Sequence, residues 1–258
     1  MDLRGRTVLL TGAAGGIGAA TARELAAAGC RLVLVDIDEV RLEAIATELG
    51  ERAVALRTDV TDLAQLEAAV AAGQSRFGPV SVVIANAAID AIAPIATIDP
   101  AAFDRVVAVN LTGTFKTIRA ALSDVVAERG HVLLVNSLGS IMPALFQAAY
   151  AASKAGISAL ADSLRIELRD SGATVGQMYF GAVDTDHFRT GMAHPLMLRA
   201  NRRIPASFMK PASAADAAAA LRTSITRRTR TSAFPRSNGP LLWAPQVIRP
   251  LIERRISP

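Results

Sequence analysis

Short apolar runs alternate with longer segments of helical periodicity from the first residues to about residue 180, and this alternation narrows the fold more than any other feature. The runs at 7–11, 31–35, 53–57, 80–85, 131–137 and 174–180 show little polar alternation. Strands of that kind are buried on both faces, the condition of a parallel sheet. Between them the pattern predicts helices near 16–28, 39–49, 62–77, 100–127 and 148–170, with start signals at Asp62 and at Asp99-Pro100. Strand and helix in strict alternation imply right-handed crossovers, hence an α/β fold with a doubly wound parallel sheet and helices on both faces. A chain of 258 residues fits one such domain, 1–258, and no repeat or low-complexity linker divides it.

The turn after the first strand reads Thr11-Gly12-Ala13-Ala14-Gly15-Gly16-Ile17-Gly18 and opens the first helix. Glycines there let the backbone approach a ligand, and a helix N-terminus presents unpaired N–H groups and positive dipole to a pyrophosphate. Within a βαβ unit this is a Rossmann-like dinucleotide cradle; no Lys-Ser/Thr pair follows the last glycine, so it is not a Walker loop. Asp36 ends the second strand. A carboxylate there accepts from adenosine ribose hydroxyls and repels a 2′-phosphate, which favours NAD over NADP. The alternative for Asp36 is a cap on the next helix, whose start is acidic at Asp38 and Glu39, and Arg41 lies nearby.

Ser137 closes the fifth strand, and Tyr150 and Lys154 follow at the start of a long helix. Their i, i+4 spacing puts phenol and ammonium on one helix face, where a cation favours phenolate and the phenol can exchange a proton with an alcohol or carbonyl. Ser137 would hydrogen-bond the same oxygen. Taken together, Thr11-Gly12-x-x-x-Gly16-x-Gly18, Asn86-Ala87-Ala88, Asn110, Ser137 and Tyr150-x-x-x-Lys154 resemble the ordered motif set of the short-chain dehydrogenases/reductases over residues 5–185.

That resemblance implies an oxidoreductase with Tyr150 as acid/base, Ser137 as the donor that positions the substrate oxygen, and Lys154 as the group that lowers the phenol pKa and holds the nicotinamide ribose. It implies that Asn110 holds a proton-relay water. Gly12, Gly16, Ile17 and Gly18 would form the pyrophosphate cradle, Asp59 and Val60 would meet the adenine, and Asn86 the ribose side of the cofactor. Tyr150 and Lys154 would also reach the nicotinamide ribose, and Val183 and Thr185 the carboxamide. The sequence departs from the family at Ala88, where glycine is usual, at Phe180-Gly181 in place of Pro-Gly, and in lacking a closing Asp-Gly-Gly strand. Rival readings are a binding-only scaffold protein of the same fold and an isomerase or dehydratase. The intact four-residue set argues against the first, and the absence of room for a larger substrate domain argues against the second.

Beyond residue 180 the pattern breaks. Residues 186–212 mix glycine and proline with apolar residues and read as a mobile substrate lid. Leu138, Ile141, Met142, Leu145 and Phe146 suggest an apolar pocket and thus a hydrophobic secondary alcohol or ketone. His187 and His194 lack carboxylates at ligand spacing, so no metal site is expected. Ser213 begins a helix to about 226, and a short strand covers 230–234. The tail, 240–258, is apolar and basic. It is expected to bury against a neighbouring subunit, with peripheral contact on an anionic membrane as the other reading. A homo-oligomer is implied by the resemblance.

The formal charge is +5, almost wholly from arginine, with no nucleic-acid motif, so solubility explains it and no nucleic-acid partner is expected. Cys30 is the one cysteine, which excludes an intrachain disulfide. With no signal-peptide layout and no uncharged run near the ~20 residues of a membrane span, a soluble cytoplasmic protein is the expectation.

Overall fold

The computed structural model describes residues 1–142, 144–200, 210–243 and 245. Its strands are β1 (Thr7–Thr11), β2 (Arg31–Asp36), β3 (Ala53–Arg57), β4 (Val80–Ala85), β5 (His131–Ser137), β6 (Thr174–Phe180) and β7 (Thr231–Phe234). They form one sheet in the order β3-β2-β1-β4-β5-β6-β7, and every pairing is parallel. The order reverses between β1 and β4, and in such sheets ligands bind beyond the carboxyl ends of the strands at that crevice.

The crossovers run through α1 (Gly16–Ala27), α2 (Glu39–Leu49), α3 (Leu63–Phe77), α4 (Pro100–Val107), α5 (Gly113–Ala127) and α6 (Ala148–Glu167). Side-chain alternation along the strands builds two cores. Val8, Leu10, Leu32 and Leu34 face α1 and α2 on one side. Leu9, Val33, Val35 and Val83 face α3, α5 and α6 on the other. Both sets are fully buried, which is why the strands read as unbroken apolar runs.

The helix starts follow their caps. Asp62 accepts from the backbone N–H groups of Ala64 and Gln65, and Asp99 from that of Ala101 with Pro100 at the first turn. The helix expected over 100–127 is instead α4 and α5 joined by a π turn, Ala108–Thr112. Around it the Thr114 hydroxyl donates to the Asn110 carbonyl at 2.6 Å and the Thr117 hydroxyl to the Gly113 carbonyl at 2.8 Å. An apolar pattern with a period between 3 and 4 residues does not register one extra residue in a turn.

Beyond β6 come α7 (Asp186–Ala193), α8 (Pro195–Ala200) and α9 (Ala214–Arg227), the last capped by Ser213. Of the segment read as a lid, 186–193 and 195–200 are helical, because Pro195 begins α8 rather than breaking it, and Ala212 forms an isolated bridge with Val183; its residues 201–209 lie outside the described ones. Of the tail, only 240–243 and 245 are described, and Trp243 there is 89% exposed. Among the described residues no helix is long and apolar enough to cross a membrane.

His131, at the start of β5, is fully buried, and its Nδ1 is 2.8 Å from the Thr174 hydroxyl while Nε2 has no partner. Burial pulls its pKa from 6.5 to about 3, so the ring is held neutral. The unfolded chain takes up this proton below about pH 6.5 and the folded one does not. Stability is therefore full above that pH and falls as pH drops toward 3. Near pH 5 this one group should remove about 2 kcal/mol. Urea unfolding of wild type and His131→Gln at several pH values checks this: their stability difference must shift with pH, and a constant difference would refute the assignment.

Candidate active site

The turn between β1 and α1 is built by close approach. Gly12 has φ +65°, and a Cβ on it would lie 2.8 Å from Asn86 Nδ2 and 2.9 Å from Ala87 Cα. A Cβ on Gly18 would lie 1.9 Å from the Gly12 carbonyl oxygen. The Asn86 amide donates to the carbonyls of Thr11 and Gly12 at 3.0 and 3.1 Å, and the Thr11 hydroxyl accepts from the N–H groups of Asn86 and Ala87. These bonds stitch the carboxyl ends of β1 and β4 together. No side chain caps α1, whose N-cap residue is Gly15 at the extended φ of −159°. Its first N–H groups and dipole face a cavity of about 1000 Å³ lined by Gly12, Gly15, Gly16 and Ile17.

Asp36 lines the same cavity. It accepts from Ala14 N–H at 2.9 Å and from Asp38 N–H at 3.1 Å, while the cap of α2 is Asp38, which accepts from Arg41 N–H. The capping alternative for Asp36 is thus resolved in favour of a carboxylate turned to the cradle. Arg41 is shared between Asp38 at 3.5 Å and Asp186 of α7 at 3.4 Å.

Further along the cavity stand Ser137, Tyr150 and Lys154. A Cβ built on Gly139 would lie 3.4 Å from Ser137 Oγ and 3.8 Å from Tyr150 Cε1, so the two side chains converge on one spot. Lys154 is 2% exposed; its ammonium donates to the Val135 carbonyl at 2.9 Å and lies 5.7 Å from the Tyr150 ring centroid. Burial pushes the phenol up to about 12, opposed by the Ser137 hydrogen bond and reinforced by Asp90, and it pulls Lys154 down to about 8. Desolvation of the phenol is the largest of these influences.

Asn110 sits in the π turn, fully buried and outside the cavity lining. Its amide donates to the Ile89 carbonyl and the Ser153 hydroxyl, and accepts from Ile89 N–H. Val183 and Thr185 line the cavity; Thr185 caps α7, and its methyl lies 3.1 Å from where a Gly16 Cβ would be. Gly18, Asp59 and Val60 do not line it. Gly18 serves the contact between α1 and Gly12, Asp59 accepts from the N–H and hydroxyl of Thr61, and Val60 packs on Gly113. Sequence reasoning missed Asp90 and Gln147, which line the cavity and are joined by a hydrogen bond from the Gln147 amide to the Asp90 carboxylate. It also missed the place of His187, whose ring is 6.3 Å from that of Tyr150.

A family model described as short chain dehydrogenase matches residues 6–194. The chain is 34% identical to galactitol 2-dehydrogenase of Agrobacterium fabrum over 196 residues, 75% of this chain and 77% of that protein. It is 36% identical to levodione reductase of Leifsonia aquatica over 195 residues, 72% of this chain and 73% of that one. The crystal structure of levodione reductase superposes with a TM-score of 0.83 at 28% identity, covering 91% of this chain and 98% of the other. A short-chain dehydrogenase/reductase from Burkholderia phymatum, solved in complex with NAD, gives a TM-score of 0.85 over 100% of this chain and 98% of its own; at 23% identity that likeness concerns the fold.

Proposed function

Because the chain belongs to the short-chain dehydrogenase family, we propose that it transfers a hydride between a nicotinamide dinucleotide and a secondary alcohol or ketone on an apolar skeleton. The observation that carries this reading is the convergence of Ser137, Tyr150 and Lys154 in the cavity that also holds the glycine cradle. The uncapped start of α1, with Gly12, Gly15, Gly16 and Ile17 lining the cavity before it, fits a pyrophosphate.

When bound, the dinucleotide supplies the hydride acceptor or donor. Tyr150 takes or returns the proton of the carbinol oxygen, and the Ser137 hydroxyl donates to that oxygen and fixes the reacting carbon. Lys154, held by the Val135 carbonyl, offers its other N–H groups to the nicotinamide ribose and its charge to the phenolate. Gly12, Gly16 and Ile17 meet the pyrophosphate, Asn86 the ribose side, and Val183 and Thr185 the carboxamide, while Gly18 acts through packing. The relay water at Asn110 and the adenine contacts of Asp59 and Val60 rest on the resemblance alone. A binding-only protein would show cofactor affinity with no change in nicotinamide absorbance across a panel of ketones and alcohols; turnover of any of them excludes it.

NAD is favoured over NADP because Asp36 presents its carboxylate and the guanidinium of Arg41 is already engaged by two carboxylates. A carboxylate has about four acceptor sites, so two backbone donors leave room for ribose hydroxyls. Asp36→Ser is expected to weaken NADH about tenfold and to strengthen NADPH. Fluorescence titration checks it; a wild type that already prefers NADPH sinks the reading. The homo-oligomer would use the outer faces of α5 and α6, where Phe115 and Ile166 are 47% and 66% exposed.

A further inference from the structure

The substrate end of the cavity is not apolar all round. Ile92, Leu138, Met142, Leu145 and Phe188 form an apolar wall, but Asp90 and Gln147 also face the cavity. They come from separate segments: Asp90 from the loop after β4, and Gln147 from the residue before α6, one helical turn below Tyr150. The loops are held together where Ala93 N–H donates to the Phe146 carbonyl at 2.9 Å.

The chain itself uses only part of the acceptor capacity of Asp90. Ala91 N–H donates to Oδ1 at 2.7 Å, and the Gln147 amide N–H donates to Oδ2. Among the described residues Asp90 belongs to no ion pair. A half-buried carboxylate has about four lone-pair sites, so acceptor positions remain on the cavity side. Because the Gln147 nitrogen is turned to Asp90, its carbonyl oxygen adds another acceptor. A corner that offers acceptors and a negative charge selects donors and rejects anions.

We propose that Asp90 and Gln147 determine specificity by accepting hydrogen bonds from a second hydroxyl of the substrate, so that the preferred substrates are neutral diols or hydroxyketones on an apolar skeleton and alcohols bearing a carboxylate are excluded. This rests on the alcohol–ketone reading above. The apolar wall holds the skeleton, Ser137 and Tyr150 hold the reacting oxygen, and the Asp90–Gln147 pair sets which neighbouring carbon must carry the second hydroxyl. Recognition needs no bond to form or break at that hydroxyl.

The test uses the full chain with NADH bound, a state that cannot take hydride from an alcohol, and calorimetry with cyclohexanol, the cyclohexane-1,2-, 1,3- and 1,4-diols, and 2-hydroxycyclohexanecarboxylate. At least one diol should bind about tenfold or more tightly than cyclohexanol, as a hydrogen bond to a charged group provides, and the carboxylate should bind worst. Asp90→Leu should bring the diol-to-cyclohexanol ratio near one and Gln147→Leu should reduce it. Asp90→Asn, which keeps the shape, should improve the carboxylate. Cyclohexanol binding as tightly as every diol, variants that keep the wild-type ratio, or binding of none of the probes would overturn the proposal. Oxidation rates with the same alcohols are read separately: diol-selective binding with no turnover of any alcohol would sink the dehydrogenase reading and leave the recognition standing.

Discussion

Tyr150→Phe is expected to lower turnover by a factor on the order of 10²–10⁴, the usual cost of losing a positioned acid/base, while NADH affinity changes by no more than about twofold. The substitution removes one oxygen from a ring that keeps its place against Lys154, 5.7 Å away, and His187. In the wild type, burial holds the phenol protonated through the neutral range, with its pKa at about 12. Alcohol oxidation needs the phenolate, so its kcat/KM should climb with pH by up to about tenfold per unit, and ketone reduction should not. Steady-state rates in both directions for the two proteins decide it. A variant with wild-type turnover, or one that keeps the wild-type pH slope, would remove Tyr150 from the reaction.

Gly18→Ala is expected to damage fold and cofactor site together. Its new methyl would sit 1.9 Å from the Gly12 carbonyl oxygen and 3.0 Å from Asn86 Nδ2, with backbone rather than a flexible side chain in the way. Either α1 retreats from the sheet or the Gly12 peptide turns and loses the Asn86 bond. Overpacking of this kind costs about 1–3 kcal/mol, which lowers Tm by roughly 2–12 °C in a domain of this size. Movement of the turn should also weaken NADH about tenfold or more. Gly15→Ala is the control for Tm. Its extended backbone suits any residue and a Cβ there meets only Arg41, at 3.9 Å, so its Tm should stay within about 2 °C. Equal melting of Gly18→Ala and wild type would show that the close approach is not needed.

The parts of the molecule legible in the sequence are those written in local spacing. Unbroken apolar strands follow from burial on both faces, so the parallel sheet and its strands could be read from runs such as Val8 to Leu10. The glycine turn, Asp36 and the Ser137, Tyr150 and Lys154 set reach one cavity because each sits at the end of a strand or the start of a helix. What stayed hidden depends on contacts between distant segments. Asp90 and Gln147 are 57 positions apart in loops without periodicity. The preference of the Lys154 ammonium for the Val135 carbonyl, and the desolvation that raises Tyr150, belong to the packed interior. Whether Asp36 caps α2 is decided only by contacts the sequence does not carry: Asp38 accepts from Arg41 N–H and Asp36 from Ala14 N–H.

Strand β5 carries His131 at its first residue and Ser137 at its last, so the group that makes the fold acid-sensitive and a group of the proposed reaction site lie about 20 Å apart on one rigid rod. The lower acid limit of the folded molecule and the protonation demands of catalysis are consequently set by separate side chains at opposite edges of the sheet. Acid loss of activity through His131 is then a loss of the folded state, separate from the titration of Tyr150 and Lys154 at the carboxyl ends of the strands. Redesign around His131 and Thr174 can extend acid tolerance while the pH–rate behaviour at neutral and alkaline pH keeps its shape.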